Sequence, residues 1–303
     1  MSSANLHLGI VYLVWGSTYL AIRVAVREGS GFPPFSMGAS RVIVAGLLLI
    51  GWAALSRKRV RPTRRELLTL AGSGLLLWTG GNGLVIWAEQ RVDSALAALV
   101  VGTSPIWAVL IDAALDRRRL SGVLVAGLAS GLLGIGLLSA PVLAGGVRAD
   151  ALSMLALALA EVAWALGSVL QSRRPVDLPV RVSSGYQHLA GGIGFLILLL
   201  VIGEPAPRPT TQALAAWGYL VIFGSILAFT SYVHILRTLP MSIATSNAFV
   251  NPVIAVILGA ALLDEPITIW NVSGAALVLL AVAGAFRDRQ LQRRRVPSQG
   301  EAG

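Results

Sequence analysis

A chain of 303 residues that is 55% hydrophobic and only 13% charged, with mean hydropathy +0.76, is not a soluble domain, where about a quarter of residues carry charge. It has no cysteine, which excludes disulfides, thiolate metal sites and a cysteine nucleophile. Its three histidines, His7, His188 and His234, stand apart, so no metal and no cofactor is expected, and its formal charge of +10 raises a nucleic-acid partner that the placement of the basic residues removes.

Taken in order, apolar runs long enough to cross a hydrocarbon core of about 30 Å fall at about 6–27, 35–55, 66–89, 92–115, 120–139, 149–171, 182–202, 212–236, 240–262 and 267–286. The opening MSSANLH has no basic n-region and no A-x-A site, so the first run is expected to be a retained span. Between the runs lie turn residues and charge: Gly31-Phe32-Pro33-Pro34, the basic stretch Arg57 to Arg65, Asp116 to Arg119, Gly145-Gly146, Arg173-Arg174-Pro175 and Pro205 to Pro209. These links are short, so no extramembrane domain fits, and the chain is read as an all-α membrane protein of ten transmembrane helices.

With the N-terminus in the cytoplasm, 18 of the 24 lysines and arginines fall in cytoplasmic loops and four in the opposite ones, with Arg23 and Arg41 inside spans. Basic residues are retained on the cytoplasmic side, so both termini are expected there. The same asymmetry accounts for the basic charge with the lipid bilayer as partner and no nucleic acid.

The chain repeats itself. A shift of 147 residues lays Pro105 on Pro252, Ala113-Ala114-Leu115 on Ala260-Ala261-Leu262, and Gly127 on Gly274. Five spans per half is an odd number, so the second half runs in the opposite sense. Two inverted five-helix repeats, 1–140 and 146–286, are expected, followed by a polar, basic cytoplasmic tail, 287–303. Inverted repeats are typical of transporters with a midplane site between the halves.

The run NPVIAVILGAALLDEPIT, followed by Gly274, resembles the last two spans of the drug/metabolite transporter superfamily, EamA type. So do Trp15-Gly16-Ser17 in the first span and Arg41 in the second. The first half departs from the pattern, since Arg118 stands where Glu265 stands in the second. The chain is also similar to YddG-type aromatic amino-acid exporters. The resemblance implies a secondary exporter of small metabolites, most of all aromatic or other neutral amino acids, in the cell inner membrane. Drug, sugar and nucleotide-sugar carriage are the alternatives within the superfamily, and an intramembrane enzyme or a structural membrane protein is the rival outside it. No G-x-S-x-G, H-E-x-x-H or Walker motif supports an enzyme or an ATPase. Gly80-Gly81-Asn82-Gly83 and the other glycine-rich stretches sit inside apolar runs and are no phosphate loops.

Polar and aromatic residues at mid-depth are the cavity candidates: Trp78, Asn82, Glu161, Trp164, Ser168, Tyr186, His188, Tyr232, Asn247 and Asn251. Trp78 and Asn82 are four apart, and Glu161, Trp164 and Ser168 fall at i, i+3 and i+7, so each set shares a helix face. Amides and hydroxyls suit an amino-acid head group, and indole and phenol rings suit its side chain. Against this stands plain helix packing, in which polar side chains bridge spans; Trp52, Trp217 and Trp270 read as interfacial anchors. A carboxylate at mid-span costs roughly 2.5–3.5 kcal/mol on insertion scales. Glu161 is therefore read as protonated or paired, binding a substrate amine, coupling to protons, or balancing Arg41 or Arg23. Arg41 itself is expected to snorkel or pair, and Asp112 to pair with Arg117 or Arg119. Pro105 and Pro252 are expected to kink their helices as gating hinges or static bends. Gly127-x-x-x-Gly131 permits close helix contact; packing within a monomer is expected, a dimer being the alternative. The fifth and tenth spans are expected to be a peripheral scaffold, and the mechanism alternating access.

Overall fold

The computed structural model describes residues 3–27, 29–89, 100–144, 151–263 and 267–295, which are helical with no strand among them. The helices are α1 (Ser3–Val26) and α2 (Pro34–Leu55), then α3 (Arg64–Gly74), which runs through a π-helical stretch, Leu75–Gly83, into α4 (Leu84–Glu89). There follow α5 (Ser104–Leu115), α6 (Gly122–Ala144), α7 (Ala151–Arg173) and α8 (Val180–Ile202). Next, α9 (Thr211–Tyr219) passes through a second π stretch, Leu220–Phe229, into α10 (Thr230–Thr238). The short α11 (Met241–Ala244), α12 (Asn247–Leu263) and α13 (Ile269–Arg295) complete the chain. Seven of the described helical segments are long and apolar enough to cross a membrane: Pro34–Leu55, Gly122–Ala140, Ala151–Arg173, Val180–Ile202, Thr211–Thr238, Met241–Leu258 and Ile269–Leu291. The beginning of the expected fourth span and the Asp264-Glu265-Pro266 turn lie outside the described residues.

Local chemistry sets the helix ends. Pro34 sits in the first turn of α2, where an N–H would have no helical partner. Thr63 caps α3 in a capping box: its hydroxyl accepts from the Glu66 N–H (3.3 Å) and the Glu66 carboxylate accepts from the Thr63 N–H (2.7 Å). Thr210, 147 residues on, caps α9 through the Ala213 N–H (3.3 Å). The α2 helix closes with Lys58 N–H donating to Ala53 O, and α5 with Arg118 N–H donating to Ala113 O (both 3.0 Å). The residue between is left-handed in each case, Arg57 and Arg117 at φ 53°, where α8 uses Gly203 at φ 72°.

Spans pack through small residues. A Cβ on Gly274 would stand 2.6 Å from Gly134 O, and one on Gly127 would stand 3.3 Å from Ala281 O. These two contacts tie α6 to α13, and 127/274 and 134/281 are again 147 apart. The α6–α13 pair turns many apolar side chains outward, among them Leu133, Leu279 and Leu280, each at least 60% exposed. Gly131 meets the Phe249 ring, so the Gly127-x-x-x-Gly131 face is occupied within the chain. The α2 helix lies along α8, and α1 along α12.

One end of the bundle gathers the basic segments. Arg59 donates to the Asp177 carbonyl (2.6 Å) and to Glu66 (2.7 Å), and Arg237 to Leu178 O (3.1 Å) and Ser183 (2.7 Å). His7 joins Ser231 (2.9 Å), and Ser121 joins Asp288. Asp112 pairs with Arg118 (3.0 Å) and Arg173 (2.8 Å) rather than with Arg117 or Arg119. The fork of Arg173 also reaches Asp116 (2.7 Å), and this bond, above all, holds the Asp116 carboxyl below its usual range. At the other end Arg208 N–H donates to Gly31 O (2.7 Å) and Thr210 N–H to Ser30 O (2.9 Å). There Glu204 accepts from the Phe35 and Ser36 N–H groups (2.8 Å each), an anion at the N-terminus of α2.

Candidate functional site

The interior between these ends is a row of rings. Trp164 on α7 lies 5.7 Å from Trp15 on α1 and 5.7 Å from Tyr232 on α10. Trp15 and Tyr232 are 4.9 Å apart, and Tyr232 and Phe229 are 6.4 Å apart. Phe229 meets Trp78 (5.1 Å) and His188 (4.6 Å), and those two rings are 4.8 Å apart. Tilted and edge-on rings at these separations are the favoured aromatic geometry. Five of the six are buried side chains or nearly so; Trp164 stays half-buried.

Both π stretches supply this row. Trp78 lies in the first, and Phe229 ends the second, just before Tyr232. A π turn widens the helix by one residue per bond and recurs at functional sites. In the second stretch the Gly224 carbonyl accepts from the Trp15 indole N–H (3.1 Å).

Polar atoms are few and specific. Ser168 donates to Trp164 O and accepts from the Tyr232 hydroxyl (2.8 Å each). Glu161, one turn from Trp164 and 3% exposed, accepts from Ser104; no ion pair to Arg41 forms. Tyr12 on α1 donates to Ser246 (2.6 Å), whose own hydroxyl donates to Ile243 O (2.6 Å) at the break between α11 and α12. Asn247 turns its amide to Ala244 O (3.1 Å) and to the Ala248 N–H (3.3 Å), closing that break. The Asn251 Oδ1, the Trp78 Nε1 and the His188 Nε2 are buried with no partner among the described residues. His188 Nδ1 meets Ser184 O (2.7 Å).

The candidates therefore divide. Trp78, Trp164, Ser168, His188 and Tyr232 converge on the ring row, with Glu161 beside Trp164 on α7. Asn82 is half-buried in the first π stretch. Asn247 and Asn251 lie on α12, which Tyr12 joins to the row. Tyr186 does not join: it packs with Ala53, Leu70, Val176, Leu178 and Val182 beside the basic loops, because α8 turns it one residue away from the interior face that carries Gln187 and His188. The prolines are unlike. Pro252 stands inside α12 and leaves the Ala248 carbonyl without its helical donor, whereas Pro105 stands in the first turn of α5, just after the helix break at Gly102 and Thr103.

Four participants were not among the candidates. Trp15 was quoted only as a family landmark. Phe229 and Tyr12 carry no pattern beyond apolar spacing. Arg41, expected to snorkel or pair, is 6% exposed, has no ion pair among the described residues, donates its Nε–H to Ser225 (2.8 Å), and lies over the Trp78 ring (5.3 Å). Gln187, which shares the interior face of α8, is committed elsewhere, donating to Ser73 (2.8 Å) and Gln171 (2.9 Å) to bind α8 to α3 and α7. A separate hollow of about 560 Å³ lies at the end opposite the basic loops, lined by Arg27, Ser30, Thr210 and Gln212; it holds none of the candidates.

Long apolar helices around a ring-lined, sparsely polar interior define the class as a multi-pass membrane transporter. The EamA-like transporter family matches residues 3–140 and again 151–287, and the chain belongs to it. It is 36% identical over 278 residues to the inner membrane transporter YedA of Escherichia coli (strain K12), covering 90% of this chain and 86% of that one. It is 27% identical over 304 residues to a probable terminal-alkyne amino-acid exporter of Streptantibioticus cattleyicolor, covering 98% of each. One crystal structure superposes with a TM-score of 0.80 at 24% identity, over 96% of this chain and 99% of the other, and shares its fold.

Proposed function

We propose that the chain exports small neutral amino acids, aromatic ones foremost, from the cytoplasm across the inner membrane. One observation carries this reading: the interior is a continuous row of indole, phenol and phenyl rings with unpartnered polar atoms, Trp78 Nε1 and His188 Nε2, set into it. Rings match an apolar side chain, and isolated buried donors and acceptors match a head group that arrives and leaves. The amino-acid exporter among the relatives supports the substrate class, and YedA supports the inner membrane.

The route is alternating access between two inverted five-helix halves crossing ten times in all, with both termini in the cytoplasm. Contacts that gather His7, the 57–66 segment, Asp112 to Ser121, Arg173 to Ser183, Arg237 and Asp288 at one end support an even number of crossings between successive basic segments. Arg41, Glu161 and the ring row then lie where the halves meet. Glu161 favours a second reading, a cationic drug as solute, since its side-chain partner among the described residues is a neutral hydroxyl. Counterflow in proteoliposomes over a panel of amino acids, nucleotide sugars and lipophilic cations tests both. Exchange of phenylalanine, tryptophan or other neutral amino acids is expected; exchange restricted to cations or nucleotide sugars overturns the assignment.

A further inference from the structure

Arg41 is the only lysine or arginine that is buried among the described residues. No carboxylate among those residues pairs with it; its one side-chain bond is Nε–H to the Ser225 hydroxyl. A guanidinium carries five donors in a planar fork, so the two terminal nitrogens are not committed by this bond. An uncompensated buried cation is costly and persists where something else supplies the opposite charge. Glu161, the one buried acid of the ring row, is turned to Ser104 instead.

The surroundings keep this guanidinium in place. A Cβ on Gly224 would come within 2.9 Å of a terminal nitrogen of Arg41, so the glycine admits the head group against the second π stretch. Ser225 holds its Nε and the Trp78 ring lies beneath it. Among the described residues Trp78 also offers a buried, unpartnered indole N–H, and His188, its ring tilted against that indole at 4.8 Å, a buried, unpartnered Nε2.

We propose that Arg41 is the carboxylate anchor of the transported solute, its fork taking the two oxygens while the Trp78 indole contributes a further donor. The proposal builds on the reading of the chain as an exporter of amino acids, but it concerns the acidic group alone. One guanidinium in an aromatic lining suits a single negative charge; a phosphate dianion calls for more than the one buried cation found among the described residues. Ser225 is a positioning residue that aims the fork.

The test uses the full chain in detergent, with thermal-shift and tryptophan-quenching titrations of 3-phenylpropionate, phenethylamine and phenyl phosphate, followed by phenylalanine counterflow. Wild-type protein is expected to bind 3-phenylpropionate at least tenfold more tightly than the other two. Arg41→Gln is expected to abolish that preference, Arg41→Lys to restore part of it, and Ser225→Ala to weaken carboxylate binding several-fold without affecting phenethylamine. If Arg41→Gln does not fold, Ser225→Ala and Arg41→Lys decide. Carboxylate binding that ignores these substitutions, or tighter binding of the amine or the phosphate, overturns the anchor. A wild type that exchanges phenylalanine while the Arg41 variants match it in both affinity and exchange overturns the anchor and leaves the exporter standing. A wild type that prefers the carboxylate yet exchanges no amino acid overturns the exporter and leaves the anchor.

Discussion

The two halves of the chain share a register of 147 residues and use it differently. In the first half the helix break at Gly102 and Thr103 immediately precedes Ser104 and Pro105, so the proline merely starts α5. In the second the break falls at Thr245 and Ser246, one turn earlier relative to the proline, and Pro252 is left inside α12. Elsewhere the register is kept: Thr63 and Thr210 both cap, both halves carry a π stretch in the following helix, and Gly127 and Gly274 both meet the partner helix closely. What the comparison teaches is that the caps, the π stretches and the close glycine contacts follow the repeat, while the helix break next to the repeated proline shifts by one turn between the halves.

The scaffold side of the comparison gives the largest expected effect. Gly274→Ala pushes a methyl against the Gly134 carbonyl, a backbone that cannot rotate away, and overpacking of this kind costs about 1–3 kcal/mol. A clear drop in melting temperature is expected for Gly274→Ala. Gly127→Ala, with 3.3 Å to Ala281 O, should show a smaller drop, and Gly136→Ala, with open space around it, none. Equal melting of all three would show that α6 and α13 are not held at this distance.

The proline pair tests the other side. Pro252→Ala returns a donor to the Ala248 carbonyl and straightens α12, so exchange should slow several-fold while thermal stability rises. Pro105→Ala, at a position with no helical acceptor to satisfy, should alter neither by much. Counterflow rates and melting curves of both variants read this out; a Pro105 effect as large as that of Pro252 would contradict the assignment of unlike roles.

The helix starts come next. Thr63→Ala removes one bond of a capping box and should cost about 1 kcal/mol. Thr210→Ala removes a single cap bond of 3.3 Å and should cost less in the same melts.

The smallest effect is electrostatic. The Glu66 carboxyl is held below its ordinary 4.5, first by the Thr63 backbone N–H and further by Arg59. A depressed acid contributes stability that is present above its unfolded pKa and fades as pH falls through the folded one. Melting temperature should therefore drop below about pH 4.5, slightly more steeply in wild type than in Glu66→Gln. Glu66 is solvated, so the difference should also shrink in high salt.

The all-helical class was legible in the sequence because lipid imposes length and hydropathy on a helix that crosses it. Thr63 and Glu66 at capping-box spacing were there to read, though the span was drawn from Glu66 inward. The π stretches were not legible, since an i→i+5 bond is set by neighbours such as Gly191 and Ala163 packed against the widened turn. Residue type at mid-depth picks out Trp78, Trp164, Ser168, His188 and Tyr232, which the fold brings together, but cannot give the direction of Tyr186, which depends on the rotation of α8. Asp112 finds Arg173 61 residues away, a partner that adjacency in sequence cannot suggest. The surroundings of Arg41 are not legible, because a lone cation in an apolar run is compatible with reaching for water or for a partner, and Ser225 and Trp78 lie far from it in sequence.

The central claim is that the ring row is reached from both sides of the membrane in turn. Because the chain contains no cysteine, Trp164→Cys places one thiol at the half-buried member of the row. A membrane-impermeant maleimide applied to right-side-out and inverted vesicles reads its exposure. Labelling from either side, at rates that phenylalanine shifts in opposite directions, is the expected result; labelling confined to one side whatever the solute would contradict it.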